Sequence, residues 1–183
     1  MTKIIRETEV PIPEGVEVQI QDSMITIKGK KGAIAKKFYH PRLVLCFEDK
    51  KLRVTCQEKK PNITDKMMIN TFRAHIHNMI HGVQDGYSAK LKVCSGHFPI
   101  TVNLEGDTIV VKNFLGEKNP RKAKLYPGVK AKVEGDIISL EGSDKEAVGQ
   151  SAARIENATR ITNRDRRIFQ DGCYIIAKPG EEL

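Results

Sequence analysis

Residues 100–132, ITVNLEGDTIVVKNFLGEKNPRKAKLYPGVKAK, combine a structural pattern with a concentration of charge, and their reading decides the fold. Val102, Leu104, Ile109 and Val111 alternate with polar residues on either side of Glu105-Gly106-Asp107. Period-two alternation about a short polar turn predicts a β-hairpin. The character then changes: residues 112–132 hold seven Lys or Arg against one acid, Glu117, in a segment broken by Gly116, Pro120 and Pro127. Such a run points to a negatively charged partner.

Working outward, the same pattern occurs earlier in the chain. Val16, Val18 and Ile20 alternate, Gln21-Asp22-Ser23 makes a turn, and Ile25 and Ile27 alternate again before a basic segment with Lys28, Lys30, Lys31, Lys36 and Lys37. Ile20, Ile25, Ile27, Lys28 and Gly32 fall without gaps on Leu104, Ile109, Val111, Lys112 and Gly116, 84 positions on. Phe47, Leu52 and Val54 fall on Val133, Ile138 and Leu140 at 86 positions, so the second copy carries two more residues between the two blocks. A helix follows each block. In the first copy Thr64 or Asp65 is a candidate N-cap, the helix runs to about His81 with Gly82 as left-handed stop, and Met68, Phe72, Ile76, Met79 and Val83 form one apolar stripe. In the second, Asp144 caps a helix bearing Val148, Ala152, Ile155 and Thr159. The fold class expected is α+β, with two tandem duplicated domains, 1–96 and 97–183. Each is a small, mainly antiparallel sheet packed with one main helix.

Composition narrows the function. The chain has 183 residues, 39% hydrophobic and 30% charged, with a net charge of +8, which fits a folded protein with a polyanionic partner. No apolar run approaches the roughly 20 residues of a membrane helix, and the N-terminus lacks a signal-peptide core, so a cytosolic protein is expected. Cys46, Cys56, Cys94 and Cys173 show no C-x-x-C spacing and are read as buried reduced thiols. With no Trp and 5% aromatics, a stacking platform for single-stranded bases is not evident.

Catalytic patterns are weak. His77 and His81 are i, i+4 neighbours but no Glu lies between them as a zinc protease requires, and His75 projects to the apolar side. Gly29-Lys30-Lys31-Gly32 is followed by Ala33, not by the Ser or Thr that a Walker loop needs after its Lys. No G-x-S-x-G elbow is present. Better supported are three basic clusters: residues 28–37, then Lys118, Arg121, Lys122 and Lys124, then Arg160, Arg164, Arg166 and Arg167. Interleaved Gly, Pro and Asn make them loops able to approach a phosphate backbone, and arginine suits folded RNA because its planar fork holds phosphate bidentately.

The C-terminal run RIFQDGCYIIAK (residues 167–178) is specific. With residues 113–118, NFLGEK, and the duplicated layout, it resembles the universal large-subunit ribosomal protein six family in its archaeal and eukaryotic form, called large-subunit protein nine in eukaryotes. Arg167, Phe169, Asp171, Gly172, Tyr174, Ile175 and Lys178 match the family pattern. Asn157 stands where that pattern commonly has Gln, and Cys173 where it has an aliphatic residue.

The resemblance implies a structural constituent of the large (60S) subunit with no enzymatic activity; no cofactor, metal, small-molecule substrate or membrane association is expected. It implies that the second domain binds large-subunit rRNA near the sarcin-ricin loop, beside neighbouring proteins including the stalk base. Its RNA-facing residues would be Lys118, Arg121, Lys122, Lys124, Arg160, Arg164, Arg166, Arg167 and Lys178. Phe169 and Tyr174 would anchor the last segment, Gly172 would allow a turn, and the acidic end, residues 180–183, would avoid phosphate. The competing reading is a free RNA-processing enzyme or its RNA-binding accessory subunit, told apart by residence outside ribosomes.

Overall fold

The computed structural model describes residues 7–48, 51–58, 61–96 and 98–180. The acidic end at 181–183 and the tip of the turn at 49–50 lie outside these residues. Two compact units make up the chain, Met1–Asp85 and Gly86–Leu183.

In the first unit, strands β1 (Glu7–Pro11), β2 (Glu17–Gln21), β3 (Met24–Gly29), β4 (Gly32–Lys37), β5 (Leu43–Glu48) and β6 (Lys51–Cys56) precede helix α1 (Ile63–Gln84). They form two antiparallel sheets, ordered β2-β3-β4 and β1-β6-β5. Period-two alternation turns Ile25, Ile27, Leu52 and Val54 inward, and the helical stripe of Ile69, Phe72, Ile76, Met79, Ile80 and Val83 closes over them. Each such side chain contributes roughly 1.5–3 kcal/mol on burial. The helix is longer than its sequence pattern indicates. Asn62 is the N-cap and its N–H donates to the Asp65 carboxylate at 2.8 Å, so Asp65 sits in the first turn instead of capping it. Gly82 remains helical and buried; the left-handed residue is Gly86, at φ +80°. Packing extends the helix, because the Val83 carbonyl accepts the Lys31 N–H at 2.9 Å and Gly29 lies against Val83, where a Cβ would come within 2.8 Å.

The second unit contains β7 (Tyr87–Cys94), β8 (Thr101–Glu105), β9 (Thr108–Lys112), a 3₁₀ turn (Phe114–Gly116), β10 (Arg121–Lys124), β11 (Lys130–Glu134), β12 (Ile137–Gly142), helix α2 (Lys145–Ala158) and β13 (Gly172–Ala177). Its sheets are ordered β8-β9-β10 and β11-β12-β7-β13. The unit begins eleven residues before the expected division at 96/97, because β7 runs through the interior of its larger sheet, paired on one side with β12 and on the other with β13.

The duplication holds strand for strand. Gln21 pairs with Met24 and Glu105 with Thr108, 84 residues apart; Glu48 pairs with Lys51 and Glu134 with Ile137, 86 apart. Between these blocks the two basic segments each form a third strand, where the sequence reading saw only loops. Ile34 pairs with Ile27 and Arg121 with Val111, so β4 and β10 are equivalent at an offset of 87. Three residues are thus added before β10, and one is removed after it. Two residues, Lys30 and Lys31, turn β3 into β4, whereas residues 113–120 separate β9 from β10.

Asp144 caps α2 as its sequence indicates, accepting the Glu146 N–H at 2.9 Å, and Val148, Ala152, Ile155 and Thr159 are buried. Replacing Asp144 with Ala should lower the stability of the second unit by about 1 kcal/mol. Urea unfolding followed by a probe in that unit checks this; an unchanged midpoint would remove the cap from the account.

Candidate nucleic-acid interface

Strand β10 alternates, with Ala123 buried and Lys122 and Lys124 exposed. Its first residue breaks the sense of a basic loop. The Arg121 guanidinium is half-buried and lies 4.2 Å over the Phe114 ring, itself in the core. Nε and Nη2 donate to the two carboxylate oxygens of Glu117 at 2.9 and 2.6 Å, and Nη1 donates to the carbonyls of Ala158 and Arg160 at 2.9 and 3.1 Å. This one side chain ties the segment after β9 to the exit of α2. Two further bonds continue the seam: Arg154, 3.8 Å over the Tyr126 ring, donates to the Lys124 carbonyl at 3.2 Å, and the Tyr126 N–H donates to Ser151 Oγ at 3.0 Å. Two basic segments distant in sequence are therefore held side by side.

The segment beyond α2 is closed at its base. Thr159 Oγ accepts the Cys173 N–H at 2.9 Å, and Gly172, at φ +152°, lies against the Thr159 carbonyl and the Tyr174 ring, where a Cβ would stand 3.4 and 3.3 Å away. The Gly96 N–H donates to the Asp171 carboxylate, which fixes the entry to β13 against the end of β7. Between these ends Ile161 is buried and Phe169 packs on the core, while Arg160, Arg164, Arg166 and Arg167 are exposed. Local bonds shape the loop. Arg164 lies 4.9 Å over Phe169, and Arg167 forms an ion pair with Asp165 at 2.8 Å while its N–H donates to the same carboxylate at 2.9 Å. A groove of about 320 Å³ opens beside the helix exit, lined by Asn157, Arg160, Arg166 and Tyr174 among others.

Electrostatics follow this layout. The hydrogen bonds from Arg121 hold the Glu117 carboxyl below the usual carboxylate range, with a smaller contribution from Arg164. Arg167 does the same for Asp165. Burial pushes the Cys173 thiol up to about 11, which leaves it a packing group and not a nucleophile.

Of the residues assigned from the sequence, Lys118, Lys122, Lys124, Arg160, Arg164, Arg166, Arg167 and Lys178 all present exposed side chains. Arg121 differs. Its donors are committed within the protein, so it positions the cations around it. Arg154 was missed, although it occupies the same flank through Lys124; no pattern in the sequence separates it from an ordinary helix-surface arginine. His77 and His81 are exposed with rings 4.8 Å apart, and the half-buried His75 ring meets Phe38 at 6.3 Å. Among the described residues no cluster of His, Cys, Asp or Glu is arranged to hold a metal ion.

The family model for ribosomal protein L6 matches the chain twice, over residues 12–86 and 98–172. The chain belongs to the ribosomal protein L6 family. The large ribosomal subunit protein uL6 of Methanobrevibacter smithii is 45% identical over 174 residues, covering 95% of this chain and 96% of its own length. The proteins of the same name from Ignicoccus hospitalis and Methanococcus vannielii are 45% and 42% identical over 172 and 180 residues. They cover 92% and 98% of this chain and 92% and 97% of their own lengths. The two matched repeats confirm the duplication read from the hairpins, and the family agrees with the reading of a structural, non-enzymatic protein.

Two outcomes test the Arg121 junction. Arg121→Ala should destabilise the second unit by about 1–3 kcal/mol, and Arg121→Lys should not restore it, since an ammonium lacks the fork that reaches Glu117 and two carbonyls together. Thermal melts of the three proteins decide; full rescue by Lys would contradict this geometry. The second concerns pH. Because Glu117 is lowered in the folded state, its stabilisation is present above the ordinary carboxylate value of 4.5 and disappears as pH falls through the lowered value. Glu117→Gln should flatten the acid limb of a stability-against-pH curve below about 4.5.

Proposed function

We propose that the chain is a structural constituent of the large ribosomal subunit, cytoplasmic, and that its second unit clamps folded large-subunit rRNA through phosphate and shape contacts. The observation that carries this reading is the seam at Arg121. It ties the segment that bears Lys118, Lys122 and Lys124 to the exit of α2, from which Arg160 and the arginine loop run, so that two basic segments can meet one partner. Mutual repulsion among these cations favours a polyanion that bridges them. The half-buried Phe169 and Tyr174 serve the core and the start of β13, so backbone recognition suits the face better than base stacking. By the family resemblance, the rRNA contacted lies near the sarcin-ricin loop, with proteins of the stalk base among its neighbours. No helix among the described residues is long and apolar enough to cross a membrane.

Six to ten phosphate contacts should weaken binding to the rRNA fragment by about 10³ to 10⁵ between 50 and 200 mM salt. Salt-independent affinity would overturn the clamp. In sucrose gradients the chain should run with large subunits and polysomes, and Arg164→Ala with Arg167→Ala should reduce that incorporation more than His77→Ala with His81→Ala. A chain confined to ribosome-free fractions would favour an RNA-processing role instead.

A further inference from the structure

Strand β1 ends its sheet, ordered β1-β6-β5, so no strand among the described residues pairs with its outer side. The duplication indicates what belongs there. Val10 pairs with Leu52 and Leu91 with Ile138, equivalent positions of β6 and β12, which makes β1 the first unit's copy of β7. On β7 that same side is occupied by β13, antiparallel, with Cys173 opposite Val93 and Ile175 opposite Leu91. The matched repeat ends at residue 172, where β13 begins. The second unit therefore completes its sheet with a strand from outside the repeat, and the first unit has no counterpart among the described residues.

We propose that the edge of β1 receives, antiparallel, an extended segment of a neighbouring protein in the large subunit, one that alternates small or branched apolar residues with Lys or Arg. This rests on the ribosomal reading above. The inward half of the pattern comes from β13, which turns Cys173 and Ala177 into the core and packs Ile175 partly against it. The outward half comes from charge. Where β7 carries Ser88 and Lys90, β1 carries the exposed acids Glu7 and Glu9. Glu9 binds Lys51 at 3.1 Å and Arg53 at 2.7 Å, and Glu7 adds a further negative charge beside Arg53. A strand laid alongside meets Glu7 and Glu9 at its outward positions; Glu9 is already paired with Lys51 and Arg53, so the preference for a cation there rests on Glu7. Backbone N–H and C=O groups of alternate β1 residues supply the pairing, and Pro11, without an N–H, limits it at that end.

The test uses large subunits assembled with the full chain. Amide hydrogen exchange at residues 7–10 should be slower in the subunit than in the free protein. A photo-cross-linking residue at the exposed position 7 should capture one protein segment of the stated alternation. Glu7→Lys should speed exchange at residues 8–10 in the subunit while leaving co-sedimentation unchanged. A subunit-bound chain whose edge exchanges as fast as the free protein, or one cross-linked there to rRNA, overturns the docking inference alone. No effect of Glu7→Lys overturns the charge preference, and a chain that never enters the subunit overturns the ribosomal reading and this inference together.

Discussion

The second unit depends on a guanidinium that points inward. Arg121 opens a strand whose other charged residues face solvent, yet its fork is spent on Glu117 and on two carbonyls at the exit of α2, above the Phe114 ring. A carbonyl pair at a helix end is a partial negative charge, and a planar cation with paired donors satisfies it together with a carboxylate. Arg121 thereby ties the segment after β9 to the exit of α2 from inside the fold, while Lys122 and Lys124 of the same strand face solvent.

The duplicated architecture shows what was added to a common frame. Both units use the same two hairpins with the same inward alternation, and both close the sheets with one helix. The first turns from β3 to β4 through Lys30 and Lys31 and closes Gly29 tightly on a long helix. The second opens that turn into residues 113–120 and shortens the helix. It then uses the chain so released for the arginine loop and β13. The proposed RNA-binding face lies where the second copy departs from the first.

What could be read in the sequence was what is local. Alternation about Asp22 and Gly106 gives the hairpins, their constant spacing gives the duplication, and Asp144 announces its helix. Short basic strands such as β10 carry little apolar pattern of their own, and they exist because a neighbouring strand edge accepts them. The first-helix cap was misplaced because Asn62, Thr64 and Asp65 are all competent caps, and only packing selects among them. β7 looked like the end of the first domain because a strand paired on both sides shows nothing of its partners in sequence. That Arg121 turns inward is invisible in the sequence for the same reason: its carbonyl acceptors lie 37 and 39 residues away.

The central claim is that the two basic segments form one face for one RNA element. Hydroxyl-radical probing tests it most directly, with an iron chelate tethered at Lys122 in one sample and at Arg166 in another, each in assembled large subunits. The account predicts that both probes cleave the same contiguous region of rRNA. Cleavage of separate, unrelated regions, or cleavage from one tether with silence from the other, would contradict it.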